Sequence, residues 1–548
     1  MSSTAPNVKQ PATKQPATRQ PATSAPRSTA ILTVVSLIQL MVIVDTTVVN
    51  IALPSIKTAL HFSQVDLQWV INAYTLIFAG FLLLGGRAAD LLGRRVVLMT
   101  GLVLFSGASL VCGLAQSSLM LEVSRGVQGL GGAIISPAAL SILLVTFPEG
   151  AERNRALAIW GAIAGGGATI GLILGGVLTQ GPGWRWVFFV NVPIGIATLL
   201  AASRILPESH GEDRSRSYDV PGAITATLGL VLLVDAMVGT TTYGWGATRT
   251  IVELVGSALL LGIFLVIEGR FAAHPLVPLS IFRSRTLSGA NAVAVLLGLA
   301  LFGVFYFLSL YMQQVLGYLP LTAAVAYLPF SGLLVVTAAS APLLIGRIGA
   351  RWLLMMGMLI AAAGLLLLTR LPDHGSYATD ILPTFIILPI GLAFAFVSIT
   401  NAAVSGVEPR DSGLASALLN TSQQVGGAVG LGLLATIAAS RTNSVLASGS
   451  HPTLDHALVQ GFDLAFLVAA GIAAAGAVVA FLTIASSIGR VEPVRRTVPE
   501  VSSPTQGAPP SPEATARPVS GLIASAQCSP IARHQFVAEE ASRRLGES

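Results

Sequence analysis

Among the ionisable side chains inside the long apolar runs of this chain, Asp45 and Arg125 are the leading candidates for chemistry and Asp235 the third. A charge deep in lipid is costly, and such groups by default mark a pathway or a coupling site. A carboxylate in that setting can do proton chemistry, because burial favours its protonated form and an approaching cation favours its ionised form. Asp45 fits that part, with Thr46 and Asn50 adding a polar stripe beside it. The plainer reading is that Asp45 caps or hydrogen-bonds a neighbouring helix. Arg125 supplies a permanent, planar guanidinium that can hold a carboxylate ionised until something displaces the pairing, or that simply tethers backbone carbonyls. Glu122, one helical turn earlier, is a local partner for it. Asp235, between Val234 and Ala236, is as well explained by packing on a polar group of another helix as by coupling.

The elements that hold these groups follow from composition. Of 548 residues, 53% are hydrophobic and 10% carry a formal charge, against about 25% charged in soluble domains. That shortage of water-facing residues excludes an ordinary cytosolic enzyme. The 56 glycines suit helices that pack backbone to backbone in lipid. A run of about 20 apolar residues crosses a bilayer as a helix, and roughly fourteen such runs occur. Their approximate limits are 31–53, 69–85, 96–115, 119–146, 155–178, 187–206, 221–240, 251–271, 288–312, 321–345, 352–370, 381–404, 414–438 and 463–487. The first run is too long for a signal-peptide core and no small-residue cleavage site follows it, so it is expected to stay. The fold class is an all-α integral membrane protein with about 14 transmembrane helices.

Charge placement tests that count. With the N-terminus in the cytoplasm, 25 of the 31 Lys and Arg fall in inner segments and five in outer ones: Lys57, Arg185, Arg249, Arg370 and Arg441. Arg125 stays within a span. Such a bias is the positive-inside pattern, and it predicts a multi-pass protein of the plasma membrane with both termini cytoplasmic. The basic residues lie in short clusters between apolar runs rather than on a dense face with aromatics, so nucleic acid is not an expected partner. Two cysteines, Cys112 and Cys528, in unlike regions give neither a disulfide framework nor a metal cluster. Residues 10–24 repeat Gln-Pro-Ala-Thr in units of five, and the chain beyond about 491 is rich in Pro, Ser and Arg. Both tails are expected to be disordered, apart from a short amphipathic helix near 531–545.

Between the second and third runs the chain reads Gly86-Arg-Ala-Ala-Asp90-Leu-Leu-Gly93-Arg94-Arg95. Two glycines permit a tight inner turn, Asp90 can cap a helix start, and the arginines anchor the cytoplasmic face. This run closely resembles the signature loop of the major facilitator superfamily. Three further runs narrow the resemblance, the first and third being similar to stretches of the fourteen-span drug:proton antiporters (the EmrB/QacA-like branch) and the second to the superfamily's intramembrane arginine motif. They are Asp45-Thr-Thr-Val-Val-Asn50-Ile-Ala-Leu-Pro54, Arg125-Gly-Val-Gln128-Gly129-Leu-Gly-Gly132, and Trp184-Arg-Trp-Val-Phe-Phe-Val-Asn191-Val-Pro193-Ile-Gly195. The likeness continues weakly through Gly413–Asn420 and Gln423-Gln424, and it covers residues 31–487. The branch's antiport motif reads here Gly167-Ala-Thr-Ile-Gly171-Leu172-Ile-Leu-Gly175-Gly176, with Leu172 where the branch carries proline. A partial second copy of the loop, Gly346-Arg347-Ile-Gly349-Ala-Arg351, suggests two homologous halves.

The resemblance implies a major facilitator fold of two six-helix bundles, at 31–206 and 272–487, with an inserted helix pair at 207–271 and tails at 1–30 and 488–548. It implies a proton-driven multidrug efflux transporter, of the kind that confers antibiotic resistance, exporting amphipathic or cationic small molecules by alternating access as a monomer. Asp45, Arg125 and Asp235 are then the proton-coupling candidates. Gly86, Asp90, Gly93, Arg94 and Arg95 form a gating loop, and Gly167, Gly171, Gly175 and Gly176 a helix-packing antiport motif. Trp69, Tyr74, Phe302, Phe305 and Tyr306 are candidates for a greasy cavity wall, against core or lipid packing. The alternative is an exporter or symporter dedicated to one endogenous metabolite, without proton antiport. A nucleotide motor needs a Gly-rich loop ending in Gly-Lys-Ser/Thr, and none of the three lysines, Lys9, Lys14 and Lys57, follows a glycine. All seven histidines are placed in loops or tails, and neither an enzyme nor a cofactor or metal is expected.

Overall fold

The computed structural model describes residues 25–147, 150–206, 219–271, 275, 277, 279–404, 412–448 and 453–484, and every regular element among them is helical. Fourteen helices among these residues are long and apolar enough to cross a membrane. In order they are spans 1 (Ser28–Leu60), 2 (Asp66–Ala89), 3 (Arg94–Gly113), 4 (Ser118–Thr146), 5 (Arg155–Gln180), 6 (Trp186–Ile205) and 7 (Val220–Tyr243). Then come spans 8 (Thr248–Phe271), 9 (Arg285–Val315), 10 (Pro320–Ile348), 11 (Ala350–Arg370), 12 (Tyr377–Ala403), 13 (Leu414–Leu446) and 14 (Leu454–Thr483). Each apolar run becomes one span, as lipid demands of a backbone with no other partners. The Gln-Pro-Ala-Thr tail, everything beyond 484 with its candidate helix at 531–545, and the side chain of Asp90 lie outside the described residues.

The boundaries differ most where polar residues interrupt the apolar count. Span 1 runs through Pro54 to Leu60, span 13 passes the expected 438 to reach Leu446, and span 14 starts at Leu454 rather than 463. Helical bonding continues past Arg441 and back before Asp463 because it asks nothing of the side chains. Thr453 caps span 14 by accepting from His456 N–H. His456 therefore belongs to the first turn of a span, not to a loop as expected, and its Nδ1 lies 2.9 Å from Asp373 Oδ2.

Span 1 packs on spans 4, 5 and 6, span 2 on span 4, and span 3 on spans 4 and 6. Eight spans later the same pairs recur: span 9 packs on 12, 13 and 14, span 10 on 12, and span 11 on 12 and 14. Two six-helix bundles thus repeat one arrangement. Close approach rests on missing side chains: a Cβ on Gly357 of span 11 would lie 2.8 Å from Gly391 O of span 12. One on Gly391 would lie 2.6 Å from Gly357 O, nearer than real Cβ atoms come. Spans 7 and 8 stand outside the repeat; they pack on each other, and span 7 lies over the junction of spans 2 and 13.

The bundles meet through spans 2 with 13 and 5 with 10. We call the end where span 1 begins the near end and the end where it stops the far end. Ser309 Oγ donates to Asn50 O at 2.7 Å, Gln313 Nε2 to Ile51 O at 3.1 Å, Tyr306 OH to Gln64 O at 3.2 Å, and Leu321 N–H to Gln180 Oε1 at 3.2 Å. All four of these bonds between bundles lie in the far half. The core agrees. Far-half residues of the first bundle, such as Val48, Ile51 and Phe188, share one cluster with Leu308, Tyr311 and Ala324 of the second. Its near-half residues, such as Val35, Leu102 and Ala138, form a cluster of their own.

Candidate functional site

Asp45 sits at the middle of span 1 and Arg125 two turns into span 4, whose helix is capped by Ser117 accepting from Met120 N–H. The glycines after Arg125 bring the spans together. A Cβ on Gly129 would collide with Tyr74 O of span 2, and one on Gly132 would lie 2.7 Å from the Tyr74 hydroxyl. At that separation Arg125 Nε reaches Val70 O at 3.0 Å.

The rest of the guanidinium and its surroundings form one closed network. Arg125 Nη1 donates to Asp45 Oδ2 at 2.7 Å and to Gln128 Oε1 at 2.8 Å. Asp45 Oδ1 accepts from Gln128 Nε2 at 2.7 Å and from Asn191 Nδ2 at 2.8 Å. Asn191 Nδ2 also lies 3.1 Å from Ser109 Oγ, which donates to Phe188 O at 2.9 Å. Tyr74 stacks over the guanidinium at 4.4 Å and Phe188 flanks it at 5.8 Å. Asp45, Gln128, Asn191 and Ser109 are all wholly buried. An ion pair removed from water is tolerable only when further hydrogen bonds complete it, and five spans contribute to completing this one.

The two leading candidates from the sequence, Asp45 and Arg125, are thus partners, and Glu122 is not: the three hydrogen bonds of Arg125 go to Val70, Asp45 and Gln128. Thr46 and Asn50 do not serve Asp45 either. Thr46 Oγ1 donates to Ile43 O and Asn50 Nδ2 to Thr46 O, within their own helix. Asp235 stays apart from the cluster. Its Oδ2 lies 3.2 Å from Arg249 Nη2, which belongs to the first turn of span 8 rather than to a loop, and Arg249 Nε pairs with Glu253 Oε1 at 2.7 Å. Gln128, Asn191 and Ser109 join the site without the mark of charge, and Gln128 and Asn191 lie in the Arg125 and Trp184 runs as polar side chains among apolar ones.

The remaining motifs position helices. Gly93 joins spans 2 and 3 with φ of 97°, and Gly349 joins spans 10 and 11 with φ of 86°, a backbone region that suits glycine. Around the first of these turns, Arg95 Nη2 donates to Ser203 O and Arg87 Nη1 to Pro275 O at 3.1 Å. Arg94 begins span 3, and a Cβ on Gly86 would touch Pro137 of span 4 at 3.4 Å. In span 5, Gly167, Gly171 and Gly175 face Ile43, Thr47 and Val48 of span 1, on either side of Asp45, while Gly176 faces Pro320, Leu321 and Ala324 of span 10. Leu172 is buried in the shared core, and the helix runs unbroken from Ala151 to Gln180 through it.

Of the aromatic candidates, Tyr74 and Tyr306 are core residues, and Phe305 stacks with Tyr327 and meets Phe330 edge to face inside the second bundle. Phe302 is half-buried against Gly427, and Trp69 packs beside Leu76 and Val234. A far-end cleft of about 790 Å³ opens between the bundles, with Lys57, Thr58 and Gln64 on one side and Asn443 and Asp455 on the other. Among the described residues no three His, Cys, Asp or Glu side chains are placed to hold a metal ion.

Two matched six-helix bundles spanning a membrane, with a sealed ion pair at the heart of one, define a helical membrane transporter. The chain belongs to the Major Facilitator Superfamily, whose description matches residues 35–431. It is 40% identical over 461 residues to the puromycin resistance protein pur8 of Streptomyces alboniger, covering 83% of this chain and 91% of that one. It is 41% identical over 406 residues to the cephamycin export protein CmcT of Amycolatopsis lactamdurans, covering 74% and 83%. Among solved structures it is similar in fold to a bacterial homolog of the human lysosomal transporter Spinster in an inward-facing, occupied conformation. There the TM-score is 0.61 at 18% identity, over 84% of this chain and 97% of the other.

Proposed function

We propose that the chain is a proton-driven exporter of amphipathic small molecules in the plasma membrane, exchanging cargo for protons by rocking one bundle against the other. The observation that carries this reading is the Asp45–Arg125 pair, a carboxylate and a permanent cation held 2.7 Å apart with no exposed surface on the acid. A proton on Asp45 cancels its charge and loosens the pair, and its departure restores it, so proton and bundle arrangement are tied to one contact. The names of the relatives, puromycin resistance and cephamycin export, support outward movement of drug-like molecules.

The excess of arginine at the near end supports a cytoplasmic near end. The four far-half bonds then tie the bundles together on the outer side. The glycine stripe of span 5 holds span 1, and with it Asp45, in register, while Gly176 seats span 10 at the outer seal. Gly86, Asp90, Gly93, Arg94 and Arg95 form the near-end gating loop, and within it Arg87 Nη1 ties the first bundle to Pro275 O, ahead of span 9.

A second reading, export of a single compound without antiport, is favoured by relatives named for one molecule each and by the unbroken helix at Leu172. Everted vesicles separate the two readings. Antiport predicts dye efflux that stops when an ionophore collapses the pH gradient, and efflux indifferent to the gradient removes it.

A further inference from the structure

Every hydrogen bond on the Asp45 carboxylate comes from an N–H donor. Oδ1 accepts from Gln128 and Asn191, and Oδ2 from Arg125. That arrangement suits an ionised acid. A protonated acid has an O–H of its own and needs an acceptor. Two side-chain amide oxygens belong to the network. Gln128 Oε1 is already used, accepting from Arg125 and lying 3.6 Å from Cys112 Sγ. Asn191 Oδ1 is buried with no partner at all, and a fully buried amide rarely leaves its oxygen unused.

We infer that Asn191 is the positioning residue that serves both protonation states of Asp45, its amide turning over when the proton arrives. The inference rests on Asp45 as the proton carrier. With Asp45 ionised, Asn191 Nδ2 donates to Oδ1, as in this structure. A hydronium ion then gives up a proton, one of its O–H bonds breaking to leave water, and an O–H bond forms on Asp45 Oδ1. A half-turn about the last side-chain torsion of Asn191 offers its unused Oδ1 to that new O–H. Ser109, 3.1 Å from the amide, accepts from Nδ2 while giving its one proton to Phe188 O, and on the flip it turns that proton to Asn191 Oδ1.

The other groups around Asp45 leave this task to Asn191. Arg125 of span 4 only donates, the Tyr74 hydroxyl of span 2 is also buried without a partner but lies against Gly132, a turn beyond Gln128, and the Cys112 thiol of span 3 faces Gln128. Span 5 presents Gly171 and Gly175, and span 9 meets span 1 further toward the far end, through Ser309 and Gln313. No ionisable side chain of these neighbours competes for the proton's second contact.

Infrared difference spectra on acidification, taken on the full chain with the asparagine side-chain carbonyls carbon-13 labelled, test the switch directly. The acid band of Asp45, absent in Asp45→Asn, rises together with a shift of a labelled amide band that is missing in Asn191→Ser. In reconstituted vesicles, Asn191→Leu, which neither donates nor accepts, moves the proton concentration for half-maximal efflux by about tenfold, the worth of one charged hydrogen bond. Asn191→Ser, whose hydroxyl does both, moves it by less than about threefold on the same scale. An Asp45 acid band that rises with no labelled amide shift overturns the switch alone. So does a wild-type pH profile in Asn191→Leu. Unaltered coupling in Asp45→Asn overturns the proton-carrier reading first, and the switch with it.

Discussion

Arg125 Nη1 and Asp45 Oδ2 lie 2.7 Å apart although eighty residues separate them in the chain, and 2% and 0% of their side-chain surfaces are exposed. At that depth neither charge is affordable alone, so the pair behaves as one unit. Its energetics are therefore strongly non-additive.

Arg125→Met leaves Asp45 buried without its counter-charge and is expected to cost about 3–5 kcal/mol. Adding Asp45→Asn removes the stranded charge and returns most of that loss, since a buried pair replaced on both sides is often nearly neutral. Thermal unfolding of the purified single and double variants in detergent measures both effects. Two losses that simply add contradict the pairing as an energetic unit.

The stripe on span 5 makes a paired prediction of opposite sign. A Cβ at Gly171 overlaps Thr47 Oγ1 and comes within 3.1 Å of Val44 Cα, whereas one at Gly166 meets nothing. Gly171→Ala is expected to destabilise by about 1–3 kcal/mol through overpacking. Gly166→Ala is expected to stabilise by up to about 1 kcal/mol, from helix propensity alone. Equal melting shifts in the two variants contradict a stripe that seats span 1.

Gly93 and Gly349 make the same turn at matching places in the two bundles. With φ of 97° and 86° they hold a backbone conformation that side chains rarely adopt. Gly93→Ala and Gly349→Ala are each expected to lose about 1–3 kcal/mol to backbone strain, read as lowered melting temperatures. Loss in one and not the other contradicts their equivalence.

The far-end seal is predicted to be a latch. Ser309→Ala with Gln313→Ala removes the donors to Asn50 O and Ile51 O. Two bonds of about 1 kcal/mol each shift the balance toward the far-open arrangement by roughly tenfold or more. Spin labels on Thr58 and Asn443, facing one another across the far-end cleft, report the change as a longer-distance population. An unchanged distance distribution contradicts the latch.

Much of this was legible in the sequence because lipid is a severe solvent. Each apolar run became a span, and the rarity of charge singled out Asp45 and Arg125. What stayed hidden was uncharged or local. Gln128 and Asn191 do not stand out by cost, since an amide in a span is ordinary until its partner is known. The apolar pattern leaves Arg249 in an outer loop, yet span 8 begins at Thr248 and brings it to Asp235. The repeat of Gly-Arg loops hinted at two halves, but only the recurrence of helix pairs eight spans apart makes the halves visible.

The central claim is that Asp45 carries the proton that drives export. Reconstituted Asp45→Asn, loaded with a fluorescent amphipathic dye, tests it by comparing transport under an imposed pH gradient with exchange in its absence. The account predicts wild-type gradient-free exchange and no gradient-driven accumulation. Accumulation by Asp45→Asn equal to that of the wild type under the same gradient contradicts it.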